Sequence, residues 1–171
     1  MEEQISSRRT QYTRLSLRKA LLTLLKTKPL AHITVRELCE AAEITRATFY
    51  AHYADVYDLL QQMENTAVSR LTGALEGASE QTFMSLLFAH VATETAVWQL
   101  LLNENGRLCF QQNVTEVLTP YVSPLFPAAL AVHFAVGGVI GILRRWLQDG
   151  CLLPADEIAV LTMRYLQMLS A

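Results

Sequence analysis

Nine side chains between residues 34 and 52 combine hydrogen-bond donors with small groups, a combination suited to the surface of a nucleic acid. An arginine donates in a bidentate manner to guanine, a threonine contacts a base edge or a thymine methyl, and tyrosine and histidine suit phosphate oxygens. Residue types alone do not distinguish a nucleic-acid-binding surface from an ordinary solvent-exposed helix. The spacing of these residues along the chain is therefore the more informative evidence. The nine candidates are Thr34, Arg36, Thr45, Arg46, Ala47, Thr48, Tyr50, Ala51 and His52.

The spacing of this segment predicts two short helices joined by a tight turn. Thr34 and Glu37 have the separation of a capping box at the start of the first helix. Glu43 occupies the turn, and Thr45 caps the second helix, whose Phe49 points back into the core. A pair of helices in this arrangement is the outline of a helix-turn-helix DNA reader.

Residues 38–60 resemble the TetR family of bacterial transcriptional regulators. The resemblance implies an all-α, TetR-like fold, with an N-terminal three-helix helix-turn-helix DNA-binding domain and a C-terminal helical domain for ligand binding and dimerisation. It also implies a sequence-specific DNA-binding regulator, a repressor that a small-molecule ligand releases from its operator. The matches to the family pattern stand in register at Ala41, Ala42, Ile44, Thr45, Arg46, Thr48, Phe49, Tyr50, His52, Tyr53, Asp55, Leu59 and Leu60.

Two residues depart from the family pattern. Glu43 stands where the family usually has glycine, and it costs about 1 kcal/mol if the turn keeps a left-handed conformation. Val56 stands where the family often has a phosphate-binding lysine. The slope of the logarithm of the DNA-binding constant against the logarithm of the salt concentration should therefore be shallower by about one unit. Both departures leave an alternative open, namely a helical dimeric interaction module that has lost specific DNA binding.

Composition and charge are those of a globular protein with a mildly basic N-terminal end. The 171 residues are 51% hydrophobic and 18% charged, and the net charge is −2. Residues 1–60 hold nine Lys or Arg against seven Asp or Glu, whereas residues 61–171 hold five against nine. Three separated cysteines without a CxxC pair fit a reducing compartment, and the acidic start lacks a signal-peptide pattern. We therefore expect a cytoplasmic protein.

Helical periodicity extends over nearly the whole chain and divides it into two predicted domains. The DNA-binding domain covers residues 1–55, and a linking helix over 55–78 leads into the ligand-binding and dimerisation domain at 56–171. An amphipathic first helix is predicted over 10–28, and the family resemblance implies that it braces the DNA-reading pair. The remaining helices are predicted at 80–103, 107–118, 128–148 and 155–169, with breaks at glycine and proline.

Residues 125–143 contain no formal charge and pose the question of a membrane span. Pro127, His133 and the isolation of this stretch favour instead a helix buried in a bundle, where Gly137 and Gly141 let a partner helix approach. We therefore expect no membrane association. We expect a homodimer through helices 128–148 and 155–169, which reads a near-palindromic double-stranded DNA operator.

A small-molecule effector is implied by the family resemblance alone. An apolar or aromatic compound is expected, because the large residues available in the C-terminal helices are mostly aromatic. An enzyme is not expected, since the chain shows no phosphate loop, nucleophile elbow or zinc motif, and neither a metal nor a cofactor is expected. The candidate ligand residues, each of which is also an ordinary core residue type, are Phe88, His90, Trp98, Phe110, Tyr121, His133 and Phe134.

Overall fold

The computed structural model describes residues 2–102 and 108–170, and the side chains of residues 10–102 and 110–170. Every regular element in these ranges is helical, which confirms the expected all-α fold. The α-helices are α1 (Glu2–Leu25), α2 (Val35–Ala42), α3 (Arg46–Tyr50), α4 (Val56–Leu75), α5 (Phe83–Thr93), α6 (Thr95–Leu101), α7 (Leu108–Val122), α8 (Ala129–Gln148) and α9 (Ala155–Ser170).

The chain forms two compact units, Met1–Asn65 and Thr66–Ala171. The division lies inside α4, ten residues beyond the boundary expected at residue 55. Helix α4 therefore contributes its first half to one unit and its second half to the other.

The N-terminal unit is built around leucines that recur at helical spacing. Leu17 and Leu21 lie one turn apart on α1 and are fully buried. Helix α1 packs on α2, which contributes Leu38, and α2 packs on α3, which contributes Phe49. Leu59 of α4 completes this core. The short helices α2 and α3 thus depend on tertiary packing for their stability, because helices of this length are marginal alone.

Two helix predictions are wrong in position. Helix α1 begins at Glu2 rather than residue 10 and ends at Leu25, three residues before Lys28. The chain turns there because Pro29 disfavours helical backbone in the residue before it. Helix α7 runs to Val122, beyond the predicted end at residue 118, and includes Pro120.

The predicted single helix over residues 80–103 is also wrong, because it consists of α5 and α6. The break is at Glu94, which has φ −135° and ψ 43° and does not continue the helix. The Glu94 carboxylate forms an ion pair with Arg70 of α4, and the Thr93 hydroxyl donates to the carbonyl oxygen of His90 at 2.7 Å. The Thr93 hydroxyl thus gives the His90 carbonyl a local alternative to the helical ladder, and the ion pair holds Glu94 against α4.

Helix α8 lies at the centre of the C-terminal unit. It packs against α6, α7 and α9, and Val136, Val139 and Leu143 are buried there. Among the described residues, α8 is also the helix whose length and composition would allow a membrane crossing. One face of α8 is buried against these helices, but only 39% of its apolar stretch is buried in the single chain, so the expected burial on most sides is not reached here.

Candidate nucleic-acid interface

The capping box predicted at the start of α2 is present. The Glu37 amide donates to Thr34 Oγ1 at 3.2 Å, and the Thr34 amide donates to Glu37 Oε2 at 3.0 Å. Lys28 Nζ adds a hydrogen bond of 2.6 Å to the other carboxylate oxygen of Glu37. The Lys28 bond, followed by the bonds from Thr34, lowers the pKa of Glu37 to about 2. The N-terminus of α2 is therefore held in place by an ionised carboxylate.

The turn between α2 and α3 keeps the left-handed conformation despite having glutamate where glycine is usual. Glu43 has φ 56° and ψ 41°, and its amide donates to the carbonyl oxygens of Cys39 and Glu40. The Ile44 amide donates to the carbonyl oxygen of Cys39 at 3.0 Å. These bonds satisfy the last carbonyls of α2 and fix the direction in which the chain enters α3.

Helix α3 has five residues and is stabilised at its N-terminus by Thr45. The Thr48 amide donates to Thr45 Oγ1 at 3.1 Å, and the two threonine hydroxyls are 2.9 Å apart. Phe49 is fully buried and has ring contacts with Tyr50 at 5.4 Å and Tyr53 at 5.7 Å. A cap and a buried aromatic ring therefore position α3, and its remaining face is free of core contacts.

All nine residues proposed from the sequence lie on the surface of the N-terminal unit. Thr48 and His52 are half-buried, and Tyr50 is 58% exposed. The other exposed members are Thr34, Arg36, Thr45, Arg46, Ala47 and Ala51. They belong to α2, α3 and the residues that flank these helices, which pack on each other, and the exposed part of this pair is called the helix-turn-helix surface below.

The charged residues of this surface differ in how they are paired. Arg36 Nε donates to Glu40 Oε1 at 2.8 Å, and Lys28 is paired with Glu37. Arg46 makes no hydrogen bond or ion pair with any side chain that the structure describes. Its guanidinium, which carries five donors, is thus available to an external acceptor.

The start of α4 shows two features with consequences for the surface. The Asp58 amide donates to Asp55 Oδ1 at 2.8 Å, and the Ala54 amide donates to Asp58 Oδ2 at 2.9 Å. The bond from Ala54 lowers the pKa of Asp58. Sequence analysis started this helix at residue 55 but missed Asp58, although a separation of three residues from Asp55 signals a reciprocal cap. Val56, which replaces the usual lysine, is buried in the core.

The structure places the proposed ligand residues in different surroundings. Phe88, Trp98 and Phe110 are fully buried, with Phe88 against Trp146 at 5.3 Å and Trp98 between His90 and Phe110. Tyr121 and His133 line two different cavities of ≈ 450 and ≈ 540 Å³. Phe134 is 69% exposed on α8. A ligand-binding role for this set stays a prediction.

Comparison with known proteins identifies relatives over the whole fold. Residues 79–168 match a TetR-type family model described as a transcriptional regulator C-terminal region. The HTH-type transcriptional regulator YxbF of Bacillus subtilis is 31% identical over an alignment of 176 positions, and this alignment covers 92% of the present chain and 45% of YxbF. The present chain thus spans less than half the length of this curated relative.

Two solved structures show the same fold at low sequence identity. A TetR transcriptional regulator from Streptococcus agalactiae aligns with a TM-score of 0.72 and 18% identity, over 96% of this chain and 98% of its own. NalD, the secondary repressor of the MexAB-OprM multidrug efflux pump in Pseudomonas aeruginosa, aligns with a TM-score of 0.68 and 18% identity, over 93% and 95%. Since the family model matches more than half of the chain, this protein belongs to the TetR family of transcriptional regulators.

Proposed function

We propose that this protein is a cytoplasmic, sequence-specific DNA-binding regulator that represses transcription from a near-palindromic operator. The observation that carries the proposal is the exposed face of α3, where Arg46 lacks a partner among the described side chains. Capping by Thr45 and the buried ring of Phe49 hold this face in a defined orientation. An oriented, unpaired arginine on a short helix suits direct reading of guanine in the major groove.

The residues of the surface divide into two proposed roles. Because the hydroxyl of Thr48 lies against that of Thr45, its methyl group is the part suited to a thymine methyl. Ala47 and Ala51 leave room for close approach of the backbone, and Thr45 acts through its cap. The proposed base-edge contacts are Arg36, Arg46, Thr48 and Ala51, and the proposed phosphate contacts are Thr34, Tyr50 and His52.

The proposal includes a dimer that forms through α8 and α9. Two copies of α3 are needed because one helix of five residues gives too few base contacts for useful specificity. Helix α8 exposes Leu130 and Phe134, and a Cβ added at Gly137 or Gly141 would meet nothing within 4 Å. These four positions follow helical spacing and form one face. Helix α9 exposes further apolar residues at Val160, Tyr165, Met168 and Leu169. A large apolar surface of this kind is suited to a second copy of the chain.

A proposed effector site is the ≈ 450 Å³ cavity between α4 and α7. It is lined on α4 by Val68 and Thr72 and on α7 by Asn113, Glu116, Val117, Pro120 and Tyr121, and more of the exposed lining is apolar than polar. The apolar lining suits the apolar or aromatic ligand expected from the sequence. Because α4 continues into the N-terminal unit, a ligand that displaces it would change the placement of α3 and release the operator.

The test is selection of bound sequences from a random DNA pool at two salt concentrations, followed by affinity measurements on the selected operator. We expect a near-palindrome that is discriminated from random DNA. Arg46→Ala should cost about 1–3 kcal/mol and relax one base position, whereas Tyr50→Phe should weaken all sequences alike. Equal losses on operator and random DNA for Arg46→Ala would exclude base reading. Sequence-independent binding by the unaltered protein would favour the interaction module, which no observation on α3 supports at present.

A further inference from the structure

A second kind of cavity lies between α6 and α8 in the C-terminal unit. It has a volume of ≈ 250 Å³ and is lined by Gln99, Leu102, Arg144, Leu147 and Gln148. None of these residues lines the cavities that contain Tyr121 and His133. It is therefore distinct from the proposed effector site.

The cationic group of this cavity lacks a counter-ion among the described side chains. Arg144 Nε is buried and has no hydrogen-bond partner there, and the guanidinium forms no ion pair with any of them. The adjacent Arg145, by contrast, donates to Asp149 Oδ2 at 2.7 Å. An arginine cannot shed its proton in a protein, so burial of its donor without an acceptor is unfavourable. A ligand carboxylate held by the two terminal nitrogens of the guanidinium would offset this penalty by supplying the missing negative charge.

We propose that the cavity binds a small organic carboxylate, with its carboxylate on Arg144 and its apolar body against Leu102 and Leu147. The planar guanidinium matches a carboxylate in bidentate geometry. Gln99 Nε2 donates to the carbonyl oxygen of Leu147 at 2.7 Å, which fixes this side chain at the wall of the cavity. The leucine walls distinguish this ligand from inorganic phosphate, which offers no apolar surface.

The cavity volume limits the size of the ligand. It corresponds to roughly eight water molecules at about 30 Å³ each, which is below the usual range for drug-sized compounds. Short aliphatic or single-ring acids fit this space. The inference goes beyond the proposed function and does not depend on DNA binding, since ligand and operator binding are measured separately.

The test is calorimetric titration of the full chain, at constant ionic strength, with hexanoate and benzoate. The matched neutral probes are hexanamide and benzamide, and inorganic phosphate tests for simple anion binding. We expect saturable binding of at least one carboxylate, about tenfold or more tighter than that of its amide. Arg144→Gln should weaken that binding by a similar factor. Arg145→Gln, which changes an arginine outside the cavity, should leave it unchanged.

Several results would overturn the proposal. They are equal affinity for acid and amide, equal affinity for phosphate, unchanged binding by Arg144→Gln, and no saturable binding to the folded protein. Arg144→Met serves as a second variant if Arg144→Gln fails to fold by circular dichroism. Glu104 lies outside the described residues, so Glu104→Gln provides a further check. If Glu104→Gln binds the carboxylate and the unaltered protein does not, then Glu104 is the natural counter-ion of Arg144 and the proposal is refuted.

Discussion

At the scale of single residues, Glu43 shows the cost of a side chain in a turn that favours glycine. Its φ of 56° lies in the left-handed region, where the Cβ of an L-residue comes too close to the following carbonyl oxygen. Glu43→Gly should raise the free energy of unfolding by up to about 1 kcal/mol, because relief of strain exceeds the entropy that glycine adds to the unfolded chain. Urea denaturation measures the change. Glu43→Gln, which removes the charge but keeps the Cβ, should give no comparable gain, and equal stability of the two variants would contradict this account.

The residues of the site that sequence analysis predicted are those governed by local chemistry. Thr34, Glu37 and Thr45 cap helices within three residues of themselves, so their spacing was sufficient. The hydrogen bond from Lys28 to Glu37 spans nine residues across Pro29, and no local pattern predicts it. The isolated guanidinium of Arg144 was likewise missed, because its lack of a partner among the described side chains is a property of the packed unit.

At the scale of elements, the stability that the cap of α2 contributes should decrease as the pH falls. The pKa of Glu37 is lowered from 4.5 to about 2, so its contribution to stability is complete above pH about 5 and is lost as the pH falls toward 2. Glu37→Gln should therefore reduce the acid dependence of the urea midpoint over this range.

Lys28→Met is the companion variant for α2, because the bond from Lys28 is the largest cause of the lowered pKa. It should reproduce part of the effect of Glu37→Gln. An acid dependence in Glu37→Gln as steep as that of the unaltered protein would show that other groups control this transition.

The elements that sequence periodicity predicted best are those with clear end signals. Helix α8 lies within one residue of its predicted bounds, since Pro127 precedes it and Asp149-Gly150 follows. The separation of α5 from α6 was missed because both halves carry apolar residues at the same spacing. The ion pair of Glu94 with Arg70, twenty-four residues away, is a contact that periodicity does not encode.

At the scale of the whole molecule, Gly137→Leu should separate dimer formation from folding. A Cβ at this position meets nothing within 4 Å in the single chain, and leucine favours helix over glycine by about 1 kcal/mol. The monomer should therefore be at least as stable as before, whereas a partner helix packed on this face would be obstructed at a cost of about 1–3 kcal/mol. Sedimentation velocity at micromolar concentration should show a shift toward monomer, and operator affinity should fall with it.

The matched control for the dimer is Gly73→Leu on α4. Gly73 is also helical and also has open space at its Cβ position, but it lies outside α8 and α9. It should leave the sedimentation coefficient unchanged. A Gly137→Leu protein that remains dimeric would remove α8 from the proposed interface.

The arrangement of the whole molecule was only partly accessible from the sequence. The helical class and the family resemblance rest on periodicity and on one ordered motif between residues 38 and 60, both of which are local. The cavities beside Tyr121, His133 and Arg144 depend on the distances between helices that are far apart in the chain. Side-chain types gave no means of choosing among them, so the seven residues proposed for ligand binding were scattered through core, cavity and surface.

The construction of α3 bears on how the target of this regulator can change over evolutionary time. Phe49 is the buried residue of the helix, and Arg46, Ala47, Thr48 and Tyr50 are exposed or half-buried. Substitutions at the exposed positions would alter the proposed groove contacts without removing a buried side chain, so they are typically tolerated by the fold. On the proposed function, two copies that arise by gene duplication can therefore diverge in operator preference through a few substitutions, while both retain the same scaffold.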